Sequence, residues 1–130
     1  MAEQLQVRLV AADREVWSGD ARMVTARTTD GDIGVLPGHT PMLGVIVDGV
    51  VTIRQDHGDT VEAAVHGGFL SVANDEVSVL AEVAELAQEI DVDRARRSLE
   101  EARRLVEGDE DALGAARRAE TRLRAAGVAL

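Results

Sequence analysis

The chain has 130 residues, a formal net charge of −10 and no cysteine, and all fourteen of its basic residues are arginine. Without cysteine there is no disulfide, thiolate metal site or cysteine nucleophile, and without lysine there is neither a Walker A lysine nor a Schiff-base lysine. The acidic balance argues against nucleic acid or an anionic bilayer as partner, because phosphate recognition needs clustered positive charge. The length suits one modest core plus an appendage.

Met1 to Val10 alternates polar and apolar residues instead of forming the apolar block of a signal peptide, and no apolar run approaches the roughly 18 residues that span a bilayer. The expectation is a soluble chain without direct membrane insertion. Leu5, Val7 and Leu9 give the period-two pattern of a half-buried strand, and Val77, Val79 and Ala81 repeat it. Between them, Arg22 to Thr28, Gly44 to Val47, Val50 to Gln55, Thr60 to Val65 and Gly68 to Ala73 are rich in β-formers. Their separators, Ser18-Gly19-Asp20, Thr29-Asp30-Gly31, Asp48-Gly49, His57-Gly58-Asp59, Gly67-Gly68 and Ala73-Asn74-Asp75, carry turn chemistry, and Asp48-Gly49 predicts a two-residue hairpin. Many short strands with glycine-rich turns predict an antiparallel β-sandwich or barrel. His66, on the face opposite Val61, Ala63 and Val65, is expected to be solvent-exposed.

One segment stands apart. Gly31 to Leu43 sets three glycines and two prolines around a strand-like core, so it encodes a shaped, stiff loop.

Beyond residue 90 the period changes. Val92, Ala95, Leu99, Ala102 and Val106, and then Ala112, Ala116, Ala119, Leu123 and Ala126, recur at steps of three and four, so each segment carries a narrow apolar stripe on one helical face. Asp91 or Asp93 can cap the first helix, Gly108 can end it, and Asp109 or Asp111 can cap the second. Glu100 with Arg104 and Glu120 with Arg124 make favourable i,i+4 pairs. The charge changes too: residues 1 to 90 hold fifteen acids and five arginines, whereas residues 91 to 130 hold nine of each. The division is therefore a β domain over 1–89 and an αα-hairpin over 90–130. The stripes hold a few Leu and Val, worth roughly 1.5 to 3 kcal/mol each if fully buried, and otherwise alanine. Such a hairpin must lean on the sandwich or on a partner, either as a permanent cap or as an element that exchanges one for the other.

No catalytic constellation emerges. His66-Gly67-Gly68 resembles an oxyanion-hole segment, but no G-x-S-x-G nucleophile elbow accompanies it. His39, His57 and His66 lack the spacing of a zinc site, and the short Asp-rich triplets are too short for an EF-hand loop, so no metal is expected.

Five ordered blocks, Trp17-Ser18-Gly19, Gly31 to Leu43, Gly67 to Val72, Val77 to Glu82 and Ile90 to Ala95, resemble the epsilon subunit of bacterial F-type ATP synthases in sequence, order and spacing. The resemblance implies a sandwich of about ten strands followed by two helices. It also implies a non-catalytic place in the central stalk, beside the gamma subunit and the membrane c-ring, coupling proton-driven rotation to ATP synthesis from the cytoplasmic face of the cell membrane. A free-standing β-sandwich adaptor with a helical tail is the alternative.

By the same resemblance, the loop carrying Asp32, Gly34, Pro37, Gly38 and His39 is the c-ring contact. Local chemistry offers the plainer role of solvated turn residues for Asp32 and His39. Ile90-Asp91-Val92-Asp93-Arg94-Ala95 resembles the segment with which some epsilon subunits bind ATP. The implied residues are Glu85, Ile90, Asp91, Arg94 and Ala95, and ATP would be a weak regulatory ligand, with no cofactor required. Asp91 serves equally as a helix cap, and Glu101 stands where nucleotide-binding relatives tend to carry arginine. The hairpin is implied to extend toward the catalytic alpha/beta ring and inhibit hydrolysis, with Arg117, Arg118, Arg122 and Arg124 as its contacts; a solvated helix face is the plain alternative for these arginines.

Overall fold

A computed structural model describes residues 4–105 and 109–128. Val106 and Gly108, assigned by the sequence to the first helical stripe and its end, lie outside the described residues. The chain forms β1 (Leu5–Ala11), β2 (Glu15–Ala21), β3 (Met23–Thr28), β4 (Gly31–Val35), β5 (Met42–Ile46), β6 (Gly49–Arg54), β7 (Thr60–Ala73) and β8 (Glu76–Leu86), then a short 3₁₀ turn at Ala87–Glu89, α1 (Val92–Arg104) and α2 (Glu110–Ala125). The β-then-α class holds, with eight strands among the described residues in place of about ten.

The strands run in the order β2-β1-β8-β7-β5-β3-β4, and β6 bridges β3 and β7. Pairing is antiparallel except between β1 and β8, which run parallel, so the expected antiparallel sheet is mixed. One core lies inside the folded sheet. Leu5, Leu9, Val24, Val35, Ile53, Val65, Leu70 and Val79 are fully buried there, with Trp17 packed at its margin. An aromatic-poor chain thus fills its interior with branched aliphatics, whose shape suits a pleated surface.

Three predicted turns are corrected. Ser18-Gly19-Asp20 is the interior of β2, where Gly19 pairs with Val7 and Ser18 with Arg8. A Cβ on Gly19 would stand 2.9 Å from the Trp17 ring, so glycine there serves close packing and not a turn. Asp48-Gly49 joins β5 to β6, but those strands do not pair with each other; both pair with β3 and β7, so the turn is no hairpin.

Thr60 to Val65 and Gly68 to Ala73 belong to one 14-residue strand, β7, which pairs first with β6 and then with β5. At the changeover Gly67 and Gly68 have φ of 71° and 131°. The inward face switches there: Ala63 and Val65 point into the core before the glycines, Leu70 and Val72 after them. The turns at Thr29-Asp30 and at Asn74-Asp75 are found as expected, the latter with φ of 51° and 61° in a tight β7–β8 hairpin.

Asp91 caps α1 and Asp109 caps α2, each accepting from the backbone N–H three residues on, at 3.0 and 3.2 Å. Of the two predicted ion pairs only Glu120–Arg124 forms, at 3.5 Å; Arg103 on α1 instead reaches Glu120 across the hairpin at 3.9 Å. The stripes meet as expected through Ala95, Leu99, Ala119 and Leu123. A second face of α2, Thr121 with Ala125, is also buried, and Ala125 packs with Ala64 and Ile90 in a separate cluster. The hairpin is therefore docked on the sandwich, through α2 against β6 and β7.

Candidate functional site

β4 is the last strand of the sheet, so its outer edge is unpaired among the described residues. Asp32 and Gly34 are exposed on it, while Val35 anchors it in the core. Leu36 to Thr40 follow, shaped by Pro37 and by Gly38 at φ 85°, and the Gly38 N–H donates to Asp75 of the β7–β8 turn at 2.7 Å. His39 folds against the neighbouring backbone, with Nδ1 2.6 Å from the Thr40 carbonyl. The five predicted contact residues thus follow one edge in two groups. At about 3.3 Å per residue, Asp32 lies about 13 Å from the start of the loop that carries Pro37, Gly38 and His39. Asp32 is held by Arg27, with Nε 3.0 Å from Oδ1.

On the outer sheet face Val45 pairs with Phe69 and Phe69 with Leu80, three exposed apolar residues in one row across β5, β7 and β8. Leu43, 72% exposed, extends the row along β5. The only phenylalanine of the chain is thus half-exposed, at 51%, while smaller residues fill the core.

Beneath α2 the structure overturns one expectation. His66 is 5% exposed, not solvated. Its position on the outer face of β7 is as predicted, but α2 covers that face. Its Nδ1 lies 3.3 Å from Oδ1 of Asp48, and its Nε2 is buried without a partner among the described residues. Burial chiefly, and then the Arg122 guanidinium, push the imidazole below its ordinary pKa, against the opposing pull of Asp48 and Glu85.

Arg122 Nε donates to Glu85 Oε1 at 2.6 Å and so ties α2 to β8. Arg117 approaches Asp48 at 4.0 Å. Of the arginines expected on the hairpin surface, these two face the sandwich, Arg124 pairs with Glu120, and Arg118 is exposed with no ion pair among the described residues.

Beside this seat a cleft of about 370 Å³ is lined by Glu85, Glu89, Asp91, Arg94, Ala95, Ser98 and Arg122. Four of the five residues implied for ATP are brought together there. Ile90 is not, since it packs on Ala64 and Ala125. Asp91 is occupied as the α1 cap, and Glu89 accepts from Arg14 at 2.9 Å and from the Leu86 N–H at 3.0 Å. Those bonds hold the Glu89 carboxyl below the usual carboxylate range. Arg94 makes no ion pair among the described residues, and it is the cation of the cleft best placed to meet a ligand anion. No group of three potential metal ligands occurs among the described residues.

Glu89, Ser98, Asp48, Thr121 and Ala125 were missed by sequence reasoning. Thr121 and Ala125 did carry a signal, being small residues one helical turn apart beside the main stripe.

Residues 4–87 match the family described as ATP synthase, Delta/Epsilon chain, beta-sandwich domain. The ATP synthase epsilon chain of Streptomyces griseus is 62% identical over 128 residues, covering 98% of this chain and 99% of that one. This chain belongs to the ATP synthase epsilon-chain family. Its epsilon relative from Streptomyces coelicolor is 64% identical over 126 residues, covering 97% and 98% of the two chains, and that from Thermobifida fusca is 47% identical over 129, covering 97% and 94%. The epsilon fold also aligns with a chain of the Euglena gracilis mitochondrial ATP synthase OSCP/F1/c-ring structure. The TM-score is 0.75 at 25% identity, over 95% of this chain and 77% of that one. An epsilon chain is a non-catalytic component of the synthase, and no helix among the described residues is long and apolar enough to cross a membrane.

Proposed function

We propose that this epsilon chain is a rotor subunit of the central stalk that seats on gamma through the row Leu43, Val45, Phe69 and Leu80 and on the c-ring through the edge of β4. The apolar row carries the reading. An acidic domain of this size that leaves its only phenylalanine on the outside has a protein surface to cover it. The β4 edge suits a stiff contact, because Val35 roots it in the core, Pro37 and Gly38 fix the loop, and Asp75 pins that loop from the neighbouring turn. Asp32 would exchange Arg27 for basic groups on the c-ring loops, and His39 adds a polar contact. Working there, the chain is peripheral on the cytoplasmic face of the membrane. The test is a double change of Asp32 and His39 to alanine: loss of coupled proton pumping with retained gamma binding is expected, and unchanged coupling overturns the c-ring contact.

The cleft favours a regulatory role for ATP as a second reading. Glu85, Asp91, Arg94 and Ala95 converge there with Ser98 and Arg122, and Arg94 has its charge to spare. Three carboxylates against two guanidiniums keep such binding weak. Isothermal titration of the full chain with ATP should give heat only at high ligand concentration, and no heat at millimolar ATP ends the idea. The hairpin, residues 90–130, is the inhibitory element in this reading: leaving the sandwich frees Arg117 and Arg122 to join Arg118 and Arg124 against acidic surfaces of the catalytic alpha/beta ring. Removing residues 91–130 from the complex should raise ATP hydrolysis; unchanged hydrolysis counts against inhibition.

A further inference from the structure

We propose that His66 is a proton-sensitive latch for the helical hairpin: the docked arrangement shelters a neutral imidazole, and protonating it loosens α2 from the sandwich. The proposal rests on the reading above that the hairpin can leave its seat.

The geometry fixes the protonation state. A carboxylate oxygen of Asp48 can only accept, so the nearby Nδ1 carries the ring proton and Nε2 is the bare nitrogen. Nε2 is buried with no partner among the described residues, so a proton added there becomes a charged donor with no acceptor among them. The cover that creates this situation is α2, whose Ala125 packs on Ala64, two residues before His66 on the same outward face. When α2 lifts away, Nε2 meets water and the proton is accommodated.

The surrounding charges agree. From α2, Arg122 opposes a second positive charge, and Arg117 engages the far oxygen of Asp48. From the β5–β6 connection Asp48, and from β8 Glu85, favour the proton, but Glu85 is committed to Arg122 at 2.6 Å. Glu82 of β8 lies against Gly67, the next residue of the strand. Desolvation is the largest influence and sets the net direction, downward.

The sign follows from linkage. A base whose pKa is lower in the docked state than in the released one favours docking at a pH above its released value, near 6.5, and progressively disfavours docking as the pH falls below it. One proton changes the docking constant by at most about tenfold per pH unit.

The chain has no cysteine of its own, so Ala12→Cys and Arg97→Cys provide unique label sites on the sandwich and on α1. The label distance in the full chain, followed from pH 8 to pH 5, should hold steady above neutrality and lengthen below about pH 6.5, and His66→Gln should abolish that change. A distance that does not vary with pH, or a His66→Gln variant that tracks the parent, overturns the latch. Should His66→Gln fail to fold, imidazole NMR of the parent decides. His66 should titrate below the ordinary imidazole value of about 6.5, and an Ala125→Glu change that releases α2 should bring it back toward that value; a His66 that already titrates at the ordinary value in the parent overturns the proposal. Ala125→Glu at pH 7.5 also separates the two ideas. If it fails to lengthen the distance, the movable hairpin falls and the latch with it; if it lengthens the distance but pH does not, the latch alone falls.

Discussion

Arg122 on α2 and Glu85 on β8, 37 positions apart in sequence, meet at 2.6 Å, the shortest ion pair across the seat of the hairpin. Both side chains are less than a third exposed, so the pair is worth more than a solvated surface bridge, though part of its attraction is spent on desolvation. Arg122→Gln should weaken docking by about 1 kcal/mol, roughly a fivefold shift toward the released hairpin. Glu85→Gln should do nearly the same, and the double variant no more than either alone, because each single change already breaks the contact. Limited proteolysis of the hairpin, as cleavage rate for the four proteins, measures both the shift and the coupling. Equal rates throughout would mean that the apolar cluster of Ala64, Ile90 and Ala125 alone holds α2.

Gly68 sits where β7 passes from β6 to β5. Its φ of 131° is unfavourable for any residue with a side chain, and an added Cβ would fall 2.0 Å from the Leu80 carbonyl oxygen. That atom is backbone of the paired strand and cannot swing aside, so both strands must part. Gly68→Ala should destabilise the fold by at least about 3 kcal/mol, lowering Tm by roughly 10 °C or more. Gly58→Ala is the control. It shares a positive φ of 92° but has open space around the added carbon, so it should lose much less. Thermal unfolding of the two variants beside the parent checks the contrast.

The same glycines explain how far the sequence could be read. Period two located the ends of the domain, β1 and β8, because each alternates without interruption in its first half. It divided β7 in two, because Gly67-Gly68 has the composition of a turn, and only the pairing of both halves with β8 in one register reveals a continuous strand. β2 escaped notice since Ser18-Gly19-Asp20 also reads as a turn. His66 shows the limit of periodicity most clearly: alternation placed it on the outer face correctly, but only the tertiary fold decides whether an outer face meets water or a helix. The caps Asp91 and Asp109 were legible because capping is local, whereas Thr121 and Ala125 were not singled out, since their burial depends on a partner sheet. Within the cleft, the resemblance supplied Glu85, Asp91, Arg94 and Ala95, and the fold added Glu89, Ser98 and Arg122.

Glu89 fastens the root of the hairpin, accepting from Arg14 of the β1–β2 turn and from the Leu86 N–H. Its carboxyl is held below its ordinary value by those two bonds, the Arg14 bond being the larger influence. A carboxylate with a depressed folded pKa contributes above its unfolded value of 4.5 and loses that contribution as pH falls below it. Amide exchange at Leu86 and Ile90 should therefore be protected at pH 6 and quicken relative to the core as pH drops below about 4.5. Glu89→Gln should show the quicker exchange already at pH 6. A root that keeps its protection in that variant would assign the anchoring to Ile90 packing.

Phe69 provides the cleanest separation of folding from assembly. It is half-exposed between Val45 and Leu80, so shortening it removes little from the core. Phe69→Ser should leave Tm within a few degrees of the parent, since exposed substitutions away from special features usually lie within about 0.5 kcal/mol. An aromatic residue at the centre of a protein interface is commonly worth about 2 kcal/mol or more on truncation, so affinity for gamma should fall by about thirtyfold or more. Leu43→Ser, at the end of the row, should cost less, because rim positions remain partly wet when a partner is bound. Binding of the parent and both variants to purified gamma, by calorimetry or surface immobilisation, gives the ranking. A Phe69→Ser chain that folds and binds gamma with parental affinity would remove the apolar row from the interface, and the surface that seats gamma would then have to be sought on the β1–β2 side of the sheet.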